Sequence, residues 1–278
     1  MSRIARRFSE LKKCDRAAFI PFVTGGDPDL ETSLAILKAL PSAGADVIEI
    51  GIPFSDPMAD GPTNQVSYLR ALRSGTTLPR VLDLVRKFRK SDANTPIVIM
   101  GAYNPVHAFG TARFARSAAE AGVDGLLIVD LPAEEDEVLR LPAVEHGIDI
   151  IRFLAPTTDD ARLRIVLKNA SGYLYYASIA GITGTKSFVE NDVHASVDRV
   201  KHATDLPCAV GFGIRTPEQA GRIAHFADGV VVGSAIVGRI EEGLKAGRSH
   251  KEIVTDVVEF CAQLANSVHA ARTAAVVE

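Results

Sequence analysis

A carboxylate stands inside an apolar run at Val47-Ile48-Glu49-Ile50-Gly51. Burying an ionised carboxylate without partners is costly, so Glu49 is expected to be paired, protonated or functional. Desolvation raises a carboxyl pKa toward the working range of a general acid or base. A structural Glu that anchors a neighbouring loop would also explain the position, and the run alone leaves both readings open. Directly after it comes Ile52-Pro53-Phe54-Ser55-Asp56-Pro57-Met58-Ala59-Asp60-Gly61-Pro62. Its three prolines restrict the backbone and Gly61 lets it turn. The span brings two more carboxylates, Asp56 and Asp60, close to Glu49. Asp before Gly or Pro is common in plain turns, but a connector this long and stiff more often serves a site.

Two glycine turns suggest a second kind of chemistry. Gly211-Phe212-Gly213-Ile214 and Gly233-Ser234-Ala235 each lead into a helical pattern. Backbone N–H groups at helix starts lack intrahelical acceptors and can converge on one anion. One such turn is weak evidence; two favour phosphate binding over packing. Ile179-Ala180-Gly181-Ile182-Thr183-Gly184-Thr185-Lys186 has the composition of a lid that closes over substrate, or of an ordinary flexible loop. Other chemistries lack their residues. The seven histidines form no i, i+4 pair and no cluster with cysteine, so no metal is expected. There is no Gly-x-Ser-x-Gly elbow, no Walker loop, no Rossmann fingerprint after the first strand, and no strand-end lysine for a Schiff base.

These residues need elements to position them. Short apolar runs alternate with amphipathic stretches along the whole chain. The predicted strands cover 18–23, 47–50, 97–100, 125–129, 148–153, 173–177, 208–210 and 229–232. Most lack strict polar alternation, as parallel strands covered on both faces do. Helices are predicted between and after them over 31–42, 64–90, 112–121, 134–146, 159–169, 192–202, 217–224 and 235–243. A recurrent phrase, Ala43-Gly44-Ala45-Asp46, Ala121-Gly122-Val123-Asp124 and Ala227-Asp228-Gly229, precedes three of the strands, where Gly suits a helix C-cap. Eight strands with eight helices favour a single α/β (β/α)8 TIM barrel over an open sheet, with residues 1–278 as one domain. Extra helices are expected at the N-terminus, over 1–14, and near the C-terminus, over 249–268, with 272–278 frayed. Active residues of such a barrel sit at the C-terminal ends of its strands and in the loops that follow.

Composition narrows the partners. With 47% hydrophobic and 23% charged residues, the 278-residue chain has ample material for one core. A net charge of −3, mixed along the chain, recommends neither nucleic acid nor an anionic membrane. No apolar run approaches the roughly 18 residues of a membrane span. The first residues, MSRIARRFSELKK, have no apolar core of a secretory signal. Cys14, Cys208 and Cys261 are odd in number and far apart, which suits reduced thiols in a cytoplasmic protein.

With Phe19 to Pro28, Glu49 to Pro62, Tyr103-Asn104-Pro105, Asp130-Leu131-Pro132 and the glycine turns in this order, the chain resembles the tryptophan synthase α-subunit family. The resemblance is carried by Phe19-Ile20-Pro21-Phe22-Val23-Thr24-Gly25-Gly26-Asp27-Pro28 and the stretch from Glu49 to Pro62, of which Glu49 to Asp60 is highly specific. It continues through Tyr103-Asn104-Pro105, Asp130-Leu131-Pro132, Gly181-Ile182-Thr183-Gly184 and both glycine turns. It implies retro-aldol cleavage of indole-3-glycerol phosphate to indole and glyceraldehyde 3-phosphate, with no metal or organic cofactor in this subunit. Glu49 would move protons at the indole C3 and the glycerol hydroxyl, and Asp60 would accept the indole N–H. Tyr175 would orient the glycerol phosphate side and Thr183 would place Asp60. Gly184, Gly211, Gly213, Gly233 and Ser234 would serve the phosphate, and Phe22, Met100, Leu127 and Phe212 the indole. Pro53, Phe54, Asp56, Pro57 and Met58 would face a pyridoxal-phosphate β subunit in an αββα assembly. Two positions depart from the common pattern: Ala102, where many members carry an aromatic, and Ile179, where many carry an arginine and others an aliphatic. The first implies an indole slot either wider or filled by Tyr103. A free-standing indole-3-glycerol phosphate lyase would use the same residues, and a catalytically silent scaffold subunit would keep only the fold.

Overall fold

The computed structural model describes residues 1–178, 190–211 and 213–272. The chain opens with α1 (Arg3–Lys13), β1 (Ala18–Thr24), α2 (Leu30–Ala39) and β2 (Ile48–Gly51). Next come α3 (Pro62–Arg73), α4 (Leu78–Arg89), β3 (Ile97–Gly101), α5 (Tyr103–Phe109), α6 (Thr111–Ala121) and β4 (Gly125–Ile128). The middle holds α7 (Glu137–Glu145), β5 (Asp149–Ile150), β6 (Arg152–Leu154), α8 (Asp160–Leu167) and β7 (Leu174–Ala177). It closes with α9 (Glu190–Ala203), β8 (Cys208–Gly211), α10 (Pro217–Ala224), β9 (Gly229–Val232), α11 (Ser234–Lys245) and α12 (His250–Ala270).

The strands pair in the order β5-β4-β3-β2-β1-β9-β8-β7-β6, and the pairings are parallel. Only Ile151 separates β5 from β6, so the two ends of that order are one covalent segment and the ring closes. Ile151 still donates to the Leu126 carbonyl of β4 at 2.9 Å, while β6 turns to pair with β7. The fifth of the eight expected strands is therefore one stave in two pieces, and the fold is a TIM barrel.

Two predictions about helices need correction. The single helix expected over 64–90 is two, α3 and α4. Gly75 takes φ 83° at the break, and Pro79 starts the next helix where its missing N–H is harmless. Hydrophobic spacing continues across the break, so periodicity alone could not show it. The short α5 was not predicted; Gly110, at φ 95°, separates it from α6. At the other end Arg272, expected in the frayed tail, is held. Its guanidinium donates to the carbonyls of Ala224 and Ala227 at 2.9 and 2.6 Å. Residues 273–278 lie outside the described part.

The barrel interior and its outer shell are filled by alternate residues of each strand. Ala18, Ile20 and Phe22 point inward with Val98, Met100, Leu127 and Val231, whereas Phe19 and Val23 pack outward under the helices. The N-terminal end is stoppered by α1, whose Ile4, Phe8 and Leu11 join the interior cluster. Phe8 meets Tyr173 with ring centroids 5.6 Å apart.

The recurrent phrase acquires a second meaning at this end. Asp46 accepts the Phe19 N–H at 2.9 Å, Asp124 the Ile97 N–H at 2.8 Å and Asp228 the Cys208 N–H at 2.9 Å. Each Asp accepts a backbone N–H at the start of the strand beside its own. Arg3 and Arg89 pair with Asp124, Arg7, Arg16 and His269 with Asp46, and Lys201 with Asp228. The closed end is locked by charge; the open end is left for chemistry.

Candidate active site

Parallel register places Phe22 of β1 beside Glu49 of β2, both directed into the barrel. Glu49 is 0% exposed. Tyr173, two residues before Tyr175 and on the same side of the chain, donates its hydroxyl to Glu49 Oε1 at 2.5 Å. Glu49 Oε2 is buried with no hydrogen-bond partner. Burial pushes the carboxyl up to about 8, against the opposing pull of the Tyr173 hydrogen bond. A neutral carboxylic acid at neutral pH is what these surroundings select. The Tyr173 and Tyr175 hydroxyls are driven well above the usual tyrosine range by burial and by the Glu49 charge, so both remain donors.

Asp60 reaches the same region from the loop after β2. It is 7% exposed and stands just before α3, whose first turns supply its partners. Asn64 Nδ2 donates to Asp60 Oδ1 at 3.1 Å, Gln65 Nε2 donates to its carbonyl at 2.8 Å, and the Tyr68 hydroxyl bonds its carboxylate. Burial raises the Asp60 pKa, and the Asn64 and Tyr68 bonds partly offset it. The helix is itself anchored. Thr24 and Ser67 share a hydroxyl pair at 2.6 Å, and Arg70 grips Asp27 with two bonds of 2.8 Å. Asn64 and Tyr68 are i, i+4 neighbours on one helical face, a spacing readable in the sequence. Taken as part of one covering helix over 64–90, that face carries no sign of a role at the site.

Asp60 lines a cleft of about 700 Å³, including the space open to solvent. Phe22, Met100, Tyr175 and Val231 form its apolar wall, and Gly213, Gly233 and Ser234 line it too. Gly213 takes φ 75°, a conformation that side chains resist. Gly233 caps α11, so the N–H groups of Ser234 and Ala235 begin that helix free of intrahelical acceptors. Two glycines act through space as well. A Cβ on Gly211 would lie 2.1 Å from Tyr175 Oη, and one on Gly233 would lie 3.2 Å from the Phe22 ring. Leu127 belongs to the interior cluster without lining the cleft, and Glu49 stands behind the wall beside Phe22. Thr183, Gly184, Phe212 and Ile179, with the rest of the predicted lid, lie outside the described residues. Arg215 lines the cleft too, a residue the glycine motif alone did not single out.

The loop expected to meet a partner divides. Pro53 is buried within the chain, which removes it from the expected contact surface. Its neighbours Phe54 and Pro57 are half-buried, whereas Asp56 is exposed and Met58 is 83% exposed. Phe54, Pro57, Met58, Ala102 and Val129 line a second, apolar groove that shares Asp60 with the cleft. Tyr103 does not fill the place left by Ala102; its ring packs against His107 at 5.5 Å. Among the described residues no group of His, Cys, Asp and Glu converges in a way that could hold a metal ion. No described helix is long and apolar enough to cross a membrane.

A closed parallel barrel with a cleft lined by a carboxyl and by glycine turns at the C-terminal ends of its strands is the layout of a TIM-barrel enzyme. The family model for the tryptophan synthase alpha chain matches residues 8–269. The tryptophan synthase alpha chain of Gluconacetobacter diazotrophicus is 54% identical over 274 residues, covering 98% of this chain and 100% of that protein. The crystal structure of tryptophan synthase subunit alpha from Legionella pneumophila superposes with a TM-score of 0.88 at 37% identity, covering 96% of this chain and 98% of that one. A chain of the aminoacrylate-bound tryptophan synthase from M. tuberculosis gives a TM-score of 0.85 at 34% identity, covering 97% and 100%. The chain belongs to the tryptophan synthase alpha chain family.

Proposed function

We propose that the chain cleaves the carbon–carbon bond of indole-3-glycerol phosphate, releasing indole and glyceraldehyde 3-phosphate for tryptophan biosynthesis. The observation that carries this reading is a buried acid held neutral inside the barrel, behind a cleft that the Asp60 carboxyl lines. Glu49, turning from Tyr173 toward the cleft, gives its proton to the indole C3. Asp60 accepts the indole N–H and stabilises the positive charge that the ring acquires. The C3–glycerol bond then breaks, and its electrons return to the ring. The hydroxyl on the departing carbon loses its proton to Glu49 and becomes the aldehyde. Protons balance: one leaves Glu49 and one comes back. The protonated indole ring is itself the electron sink, so the reading requires no cofactor in this chain.

Substrate phosphate would sit between Gly213 and the start of α11, with Gly184 and Ser234 as further donors and Thr183 placing Asp60. Tyr175 orients the glycerol side, and Phe22, Met100, Leu127 and Phe212 shape the indole side. The exposed part of the 53–58 loop is the proposed face for a pyridoxal-phosphate β subunit in an α2β2 assembly, in the cytoplasm. Family membership favours this role over a free-standing lyase. The test is indole release from indole-3-glycerol phosphate by the purified chain, alone and with a β subunit. Feeble turnover alone and a marked rise with partner are expected. Equal turnover in both arms would favour the free-standing lyase, and none in either would overturn the reaction.

A further inference from the structure

Among the described residues, Arg215 is the only basic side chain on the wall of the cleft. It stands two residues after Gly213, on the ridge between the cleft and an outer groove along α11. Its neighbours have their charges committed. Arg239 faces Asp256 at 3.6 Å, Lys245 pairs with Glu241, and Arg70 is bonded to Asp27. Arg215 has no carboxylate within ion-pair distance among the described residues, and its side chain is exposed. Its backbone, by contrast, is fixed. The Arg215 N–H donates to Gln219 Oε1 at 2.8 Å, and Gln219 completes the capping box that starts α10.

A helix start offers a phosphate only about half a positive charge. A phosphate monoester brings close to two negative charges near neutral pH, and the cleft already holds the Asp60 carboxyl. The glycine turns thus supply directed N–H groups without enough charge for a dianion. An unpaired guanidinium on the same rim supplies it, and its planar fork suits two phosphate oxygens at once. We propose that Arg215 is a phosphate-binding residue of this cleft, closing over the dianion seated on Gly213 and Ser234. This assignment rests on the reaction proposed above and adds a side-chain anchor to its backbone site.

The experiment compares wild type with Arg215→Gln and Arg215→Lys in the full chain. It measures calorimetric affinity for glycerol 3-phosphate and for indole, together with KM for indole-3-glycerol phosphate. The Gln variant is expected to bind glycerol 3-phosphate about tenfold more weakly and to show a KM about tenfold higher, with indole binding unmoved. The loss should fall on KM more than on kcat. Lysine should restore part of it, because the charge remains but the fork does not. Raising salt should weaken wild-type phosphate binding and leave the Gln variant nearly flat. Phosphate affinity within about twofold of wild type in the Gln variant would show Arg215 to be a solvated surface charge. Equal losses for both ligands would make it a packing residue, and either result overturns the assignment. A wild-type chain that binds no glycerol 3-phosphate would overturn the phosphate site as a whole, a separate and recognisable failure.

Discussion

Burial keeps the Glu49 carboxyl protonated at a cost in stability that grows as pH rises. Burial raises its pKa to about 8 from an ordinary 4.5, so the unfolded chain ionises it first as pH rises. Stability tied to this group is intact below pH 4.5, is lost as pH rises toward about 8, and is level above. Glu49→Gln removes the titration. Urea unfolding should therefore show the variant gaining on wild type between pH 5 and pH 8, with little difference in more acid solution. Its kcat should fall at least about a hundredfold, the lower end of general acid–base contributions. Near-normal turnover would contradict the role. If the acid form starts the reaction, kcat/KM of wild type should decline as pH passes about 8. Tyr173→Phe tests the same group from its partner. The Tyr173 hydrogen bond holds the carboxyl pKa down, so its removal should move that declining limb to higher pH. A limb that stays in place would show that Tyr173 sets position without setting acidity.

Glycines that look alike in the sequence have different work at the level of elements. Gly213 holds a turn at φ 75°, where valine would be strained by its branched Cβ. Gly213→Val should weaken glycerol 3-phosphate binding far more than indole binding, as parallel titrations would show. Gly238 lies within α11, and a Cβ built on it meets nothing within 4 Å. Gly238→Ala should therefore raise stability by about 0.5–1 kcal/mol in chemical unfolding, through the lower helix cost of alanine. A destabilised Gly238→Ala variant would mean that this face of α11 is more crowded than its open surroundings indicate.

At the scale of the molecule, the barrel keeps its two ends apart. Asp46, Asp124 and Asp228 tie strand starts and helices together at the end stoppered by α1. The other end carries Asp60, the cleft and the exposed tip of the 53–58 loop. A partner docked on that tip would restrict the loop that leads into Asp60, so activation would come from preorganisation. Asp56 is exposed and its only described side-chain partner is adjacent Ser55, at 2.5 Å. Asp56→Ala should then reduce activation by a β subunit severalfold while leaving the activity of the isolated chain close to wild type. Coupling is reciprocal, so glycerol 3-phosphate should tighten the mixed complex. Equal activation of variant and wild type would move the contact elsewhere.

The order of strands and helices was legible in the chain because burial on both faces of a parallel strand writes continuous apolar runs. The oddity of Glu49 was legible for the same reason: a carboxylate among Val47, Ile48 and Ile50 has to be explained wherever it lies. So were Asp60 and the two glycine turns, since prolines and glycines record local backbone geometry. What the chain could not reveal depends on residues that meet only when the ring closes. Tyr173 reaches Glu49 across 124 positions, and the hydroxyl pair of Thr24 and Ser67 steadies the helix that holds Asp60. Pro53 reads as contact surface because it belongs to an apolar group with Phe54, Pro57 and Met58, yet the tertiary fold buries it. The break at Gly75 hid beneath an unbroken hydrophobic rhythm. Periodicity reports which face of an element is covered; which partner covers it, and which charge is left unpaired among the described residues, as at Arg215, is decided by long-range packing alone.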